Sequence, residues 1–190
     1  MTEKAVDDVI RLFNLYGETN YLGESVSKTQ HMIQCAKLAE QHMNNLQVTV
    51  GALLHDIGHL IGIDKNTVSM VTDDQDLGAK DHDTIGGNYL RDLGFPSLVC
   101  ELVSGHVQAK RYLVYKDKQY YEKLSPASKM TLEHQGGPMS QQEAEKFSNS
   151  PLFEVILSMR RWDELAKNTE SPLGSIEDYR EYLIQVLHLQ

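Results

Sequence analysis

Apolar residues recur at helical spacing over most of the chain. Val6, Val9, Ile10 and Phe13 share one face of a first helix. A turn with Gly17 and Gly23 follows. The spacing predicts a second helix from about Ser25 to Met43, with His31, Cys35 and Leu38 on a face widened by Ile33, Ala36 and Ala39. A third runs from Val48 to Leu60 and turns Val50, Leu53, Leu54 and Ile57 inward, with Gly51 and Gly58 inside it. Periodicity then lapses. Residues 61–81 carry Asp64, Asp73, Asp74, Asp76 and Asp81 and read as a long surface loop or lid. It resumes at His82, Ile85, Tyr89 and Leu93, with Gly94 and Pro96 closing that helix. A short helix from Ser97 to about Tyr115 carries Val99, Leu102, Val103 and His106.

Later helices are marked by their starts. Ser125-Pro126 and Ser150-Pro151 each pair an N-cap serine with proline at the first helical position. Ser140 with Glu143, and Ser175 with Asp178, have capping-box spacing. Gly136-Gly137-Pro138 is a turn, and the last helix packs Tyr179, Tyr182, Leu183, Val186 and Leu187. No strand alternation of useful length, repeat or linker interrupts this pattern. The expectation is an all-α chain in which residues 1–190 form a single domain.

Composition narrows the partners. The 190 residues carry a formal net charge of -9. Phosphate-backbone affinity comes from Lys and Arg, so nucleic acid is not an expected partner. An anionic substrate must be met by a local patch. No membrane-length apolar run and no signal peptide in residues 1–20 are seen, which predicts a cytoplasmic protein without a membrane partner. No obligate protein partner is evident. Cys35 and Cys100 stand alone on apolar faces and read as buried free thiols rather than metal ligands.

Eight histidines is a high count for 190 residues. His42, His134 and His188 fall on polar, turn or terminal positions and read as surface residues. His31, His55, His59, His82 and His106 sit on apolar faces or helix ends, and Asp56 lies within an apolar run. A buried carboxylate is costly unless a cation or strong donors compensate it, so this combination favours metal over a plain core. Neighbouring His55 and Asp56 diverge by about 100° on a helix. They converge on a dinuclear centre if the carboxylate bridges. Imidazole and carboxylate donors suit iron, manganese, zinc or nickel.

His31, then Leu54-His55-Asp56-Ile57-Gly58-His59, then Arg161-Trp162-Asp163, with His82 and His106 between, resembles the ordered signature of the dinuclear HD-domain proteins. Within them the chain resembles the PhnZ-like mixed-valence di-iron oxygenases that split carbon–phosphorus bonds. The likeness rests on Tyr21-Leu22-Gly23-Glu24, on the segment from Gly105 to Val114, on Leu124–Ser128, on Leu132–Met139, and on Arg160–Glu164.

The resemblance implies an HD helical bundle and two irons, Fe(II) and Fe(III), with dioxygen as co-substrate. His31, His55, Asp56 and Asp163 would hold one iron, and Asp56, His82 and His106 the other. His59, Lys110, Ser128 and Arg160 would meet the phosphonate of a small-molecule substrate. Glu24 would receive its ammonium group, and Tyr21 would cover the second iron. Read from the residues alone, Lys110 and Arg160 are ordinary charges, Tyr21 a packing aromatic and Glu24 a helix-start acid. The implied reaction is oxygen-dependent cleavage of 2-amino-1-hydroxyethylphosphonate to glycine and phosphate. A trimethylammonium analogue giving glycine betaine, a metal-dependent phosphohydrolase and a non-catalytic metal-binding HD module are the other readings.

Overall fold

Helix α1, Thr2–Tyr16, buries Ala5, Val6, Val9, Ile10, Leu12 and Phe13, a stripe about as wide as one packed face needs. The computed structural model describes residues 1–20, 25–172 and 174–189. Helix α2, Lys28–His42, starts behind a capping box in which Ser27 and Gln30 bond each other's backbone N–H. That cap places the start a few residues later than the apolar pattern predicts.

The expected third helix is two. Helix α3, Leu46–Leu54, and α4, Ile57–Asp64, are separated by His55 and Asp56 and bent by 42°. The apolar pattern runs straight through, because both helices lie in the core and are apolar on nearly every side. The break is made by Asp56, whose φ of -104° and ψ of 13° fall in the sparsely used bridge region. Among the described residues no single helix is long and apolar enough to cross a membrane; only the bent α3–α4 pair passes by length and composition.

Segment 61–81 is not the loop its pattern suggests. Helix α4 continues through Asp64, and β1, Ser69–Thr72, pairs antiparallel with β2, Gln75–Ala79. The pairing sets Ser69 opposite Ala79 and Thr72 opposite Gln75. Asp73 and Asp74 form the turn with φ of 49° and 62°, the primed geometry that matches strand twist. Met70, Leu77 and Ala79 point inward.

Helix α5, His82–Asp92, ends at Leu93 before the left-handed Gly94. Helix α6, Ser97–Lys116, is the longest at 20 residues rather than a short one. Helix α7, Lys118–Lys123, follows without any apolar signal and buries none of its residues. Ser125 caps α8, Pro126–His134, as its Ser-Pro signature predicts. Ser140 and Glu143 close a capping box on α9, Gln141–Ser148. Ser150-Pro151 instead forms the turn before α10, Phe153–Leu165, where the Ser150 hydroxyl accepts from the Leu152 N–H. Ser175 and Asp178 cap a 3₁₀ turn, Ile176–Tyr179, which leads into α11, Arg180–Leu187.

Two large apolar clusters and a small one of Val114, Leu124 and Leu132 result. One joins α1, α3, α4, α5, α11 and part of α6. The other joins α9, α10 and the opposite side of α6, and α2 and α3 contribute residues to both. Polar residues collect where α2, the α3–α4 break, α5, α6 and α10 converge.

Candidate metal centre

The ring nitrogens define two clusters sharing one carboxylate. His31 on α2 and His55 at the break place Nε2 atoms 3.1 Å apart. His82, the first residue of α5, and His106 on α6 do the same at 3.0 Å. Asp56 lies between. Its Oδ2 is 3.3 Å from His55 Nε2 and 3.7 Å from His31 Nε2; its Oδ1 is 3.3 Å from His106 Nε2 and 3.5 Å from His82 Nε2. Asp163 on α10 closes the first cluster, with Oδ1 3.2 Å from His31 Nε2 and 3.9 Å from His55 Nε2. All six residues are buried.

The outer ring nitrogens fix which way these imidazoles face. The Nδ1 atoms of His31, His55 and His106 lie 2.9, 2.8 and 2.7 Å from the carbonyl oxygens of Ala166, Ala52 and Val103. A carbonyl only accepts, so each Nδ1 carries a proton, and in its neutral form each ring turns an Nε2 lone pair inward. Two lone pairs about 3 Å apart repel unless a proton or metal cation lies between them. Asp56 Oδ2 is buried with no well-formed hydrogen bond. Imidazole nitrogens and carboxylate oxygens aimed at shared points fit first-row divalent metals.

Electrostatics agree. Burial raises the Asp56 acid pKa, but the His55 and His106 imidazoles beside its two oxygens outweigh it and hold Asp56 well below the carboxylate range. Burial likewise opposes ionisation of Asp163, and the Arg160 charge overrides it. Burial pushes the His55 imidazolium down, while Asp56 and Asp163 raise it to about 9. Cys35 Sγ lies 4.0 Å from His31 Nε2, closer to the cluster than its sequence suggests. Its thiol is pushed well up, first by burial and then by Asp163 and Asp56.

A family model described as HD domain matches residues 29–166, a span that contains all six of these side chains. The chain belongs to the HD-domain family. It is 37% identical over 182 residues to an uncharacterized protein of Acanthamoeba polyphaga mimivirus, covering 96% of this chain and 81% of that one. It is 38% identical over 159 residues to the [1-hydroxy-2-(trimethylamino)ethyl]phosphonate dioxygenase (glycine-betaine-forming) of Leisingera caerulea, covering 84% and 78% of the two chains. It is 33% identical over 176 residues to the hydroxymethylphosphonate dioxygenase of Gimesia maris, covering 92% and 84%. These relatives set the HD domain among the PhnZ-like oxygenases that its sequence resembles.

Beside the HD cluster lies a small cavity of about 40 Å³, partly open to solvent. His59, Lys110, Ser128 and Arg160 all line it together with Asp56, so the structure brings those four expected substrate residues to one place. Lys110 stands one turn after His106, and its Nζ donates to Thr131 Oγ1 at 3.0 Å. Burial and then the Arg160 charge push the Lys110 ammonium down to about 7, against Asp163, Asp56 and Asp83. His59 stacks on His82 with ring centroids 3.9 Å apart, and its Nδ1 accepts from the Ala79 N–H. Burial lowers His59 to about 4. The neutral ring therefore carries its proton on Nε2.

Arg160 does more than line the cavity. Its Nη1 donates to Asp163 Oδ2, and its Nε donates to the Tyr120 hydroxyl at 3.0 Å. Thr131, Gln135 and Met70 also line the cavity and were not expected from the sequence. Thr131 and Gln135 follow Ser128 on the α8 side; Met70 arrives on the hairpin, which no helical pattern signals. His134 is not a plain surface residue, since its Nε2 lies 2.8 Å from Thr72 Oγ1 and ties α8 to the hairpin. His42 and His188 are exposed as expected. Tyr21 and Glu24 lie outside the described residues.

Proposed function

We propose that this HD domain holds two iron ions and uses dioxygen to cleave the carbon–phosphorus bond of a 1-hydroxyphosphonate. His31, His55, Asp56 and Asp163 would hold one ion, and Asp56, His82 and His106 the other. The observation that carries this reading is the position of Asp56, with one carboxylate oxygen facing each imidazole pair. The identity to two phosphonate dioxygenases supports the substrate class. Bound iron supplies the redox chemistry that dioxygen needs and a Lewis-acidic surface for substrate oxygens.

The overall reaction balances without water. One hydroxyphosphonate and one dioxygen give one carboxylic acid and one phosphate. The chain's own residues bind and orient. Lys110 and Arg160 neutralise the phosphonate dianion, and its approach favours the charged form of Lys110. Ser128 and the His59 Nε2–H donate to phosphonate oxygens. The first turn of α8 lines the same cavity through Ala127 and Ser128 and adds its partial positive charge.

For the group carried by C1 we favour an aminomethyl, whose primary amine gives glycine, with Glu24 as its acceptor and Tyr21 covering the second iron. A quaternary ammonium group prefers an aromatic cage. Among the described residues no Phe, Tyr or Trp lines the cavity. The trimethylated substrate named for the Leisingera relative is the second reading, because that relative is 38% identical.

Phosphate release should be measured with 2-amino-1-hydroxyethylphosphonate, its trimethylammonium analogue and hydroxymethylphosphonate, in air and under nitrogen. Oxygen-dependent release, fastest with the primary amine, is expected. Equal release without oxygen would overturn the oxygenase reading. Loading with iron is also expected to raise Tm by about 5–10 °C. One ligand at a hundred times its Kd contributes about 2.7 kcal/mol, and each kcal/mol shifts a chain of this length by about 2–4 °C. Calorimetry of metal-free and iron-loaded protein checks this, and identical Tm values would count against a structural metal centre.

A further inference from the structure

We infer that Tyr120 is a positioning residue for the metal centre: together with Glu164 it locks Arg160, and Arg160 in turn holds Asp163. The inference rests on the metal reading proposed above. Its basis is a chain of contacts linking α7, the short helix without buried residues, to the first metal cluster.

Arg160, Asp163 and Glu164 share one face of α10 at i, i+3 and i+4 spacing. One guanidinium thus has two carboxylates within reach. Its Nη1 donates to Asp163 Oδ2, and its Nε lies 3.1 Å from Glu164 Oε1. The two acids differ in what else they can do. The Asp163 side chain is 4% exposed and the Glu164 side chain 31% exposed. Glu164 can turn to water and draw the guanidinium with it. Asp163 has no such alternative, and losing Arg160 would leave a buried charge without its strongest compensation.

The Tyr120 hydroxyl stands where this competition is decided. It donates to Glu164 Oε1 and accepts from Arg160 Nε. A hydroxyl has one proton and two lone pairs, so it can satisfy both partners together. Glu164 is thereby held in place, and the plane of the guanidinium is fixed at Nε. A planar fork fixed at one nitrogen has its other nitrogens fixed as well. Nη1 then stays on Asp163 Oδ2, which leaves Oδ1 facing His31 Nε2 at 3.2 Å. Groups that orient a ligand from outside the metal's own contacts typically change affinity about 10–100-fold when removed.

The test uses the full chain loaded with iron. Tyr120→Phe keeps the ring and removes only the hydroxyl. Release of iron to a colorimetric chelator is expected to speed up at least about 10-fold for one of the two ions, the one facing Asp163, with the other released at the wild-type rate. The electron paramagnetic resonance signal of the iron pair should shift, and the Tm of the metal-free protein should stay within a degree or two. Glu164→Gln keeps an acceptor for the tyrosine and should release iron close to the wild-type rate. Glu164→Ala removes it and should resemble Tyr120→Phe; it also serves if the phenylalanine variant does not fold. A wild type that holds two ions beside a Tyr120→Phe variant with unchanged release and an unchanged signal overturns this inference alone. A wild type that does not hold two ions overturns the metal reading as well.

Discussion

Asp56→Ala is expected to abolish both halves of the metal centre at once, with bound iron falling from two equivalents toward none and activity dropping about 10³-fold or more. A metal ion contributes several kcal/mol to such a reaction, and each 1.4 kcal/mol is tenfold in rate. Asp56 is singled out because its two oxygens face different histidine pairs, His31 with His55 and His82 with His106. No other carboxylate among the described residues stands within ion-pair distance of both pairs. His31→Ala supplies the contrast. It leaves Asp56, His82 and His106 in place and should cost one iron equivalent rather than two. Elemental analysis of the two variants decides the matter. Equal loss of a single ion from both would mean that Asp56 does not bridge.

Gly58→Ala should destabilise the fold by about 3 kcal/mol, at the upper end of what overpacking costs. Helix propensity alone predicts the opposite sign, since alanine exceeds glycine by about 1 kcal/mol inside a helix. The difference lies in the crossing of α4 with α5. A Cβ on Gly58 would sit 1.8 Å from the His82 carbonyl oxygen and 2.6 Å from its carbon. These are backbone atoms, so no rotamer change relieves the clash. Across the same contact a Cβ on Gly86 would lie 3.2 Å from the Gly58 amide nitrogen. The helices must move apart, and His82 opens α5 at that point. Loss of stability should therefore come with weaker binding of the ion that His82 faces. Denaturant unfolding with parallel metal titration checks both effects. A variant more stable than wild type would show that the close approach is not needed.

Part of the candidate ligand set was legible because His31, His55 and Asp56 interrupt runs that otherwise read as core, whereas Asp163 lies in a charged stretch and was proposed from the resemblance alone. Their order along the chain carried the resemblance. What joins them was not legible. The α3–α4 break leaves no mark, because Leu53, Leu54, Ile57 and Leu60 are buried on both sides of it and no proline intervenes. The hairpin is short, and its turn uses Asp73-Asp74 where Asn-Gly or Asp-Gly would have signalled one. Arg160 reads as a surface charge or a substrate contact until Tyr120, 40 residues away, is found against it. Pairings at such separation follow from packing, which local periodicity does not encode.

The six proposed ligands come from four helices and the α3–α4 break, widely spaced along the chain. His31 and His55 are 24 residues apart, as are His82 and His106, and Asp163 reaches back from α10 to His31. In polymer terms, a pair of bound ions ties off nested loops, from a few turns of chain to most of its length. Closing a loop lowers the entropy of the unfolded chain more as the loop grows. Covalent cross-links do this in other proteins, but here both cysteines are free and buried. With two ions bound as proposed, the centre would act as a set of long-range staples. Unlike a disulfide, such a staple would be undone by a chelator and restored by the metal, so the supply of metal would govern how firmly the helices hold together.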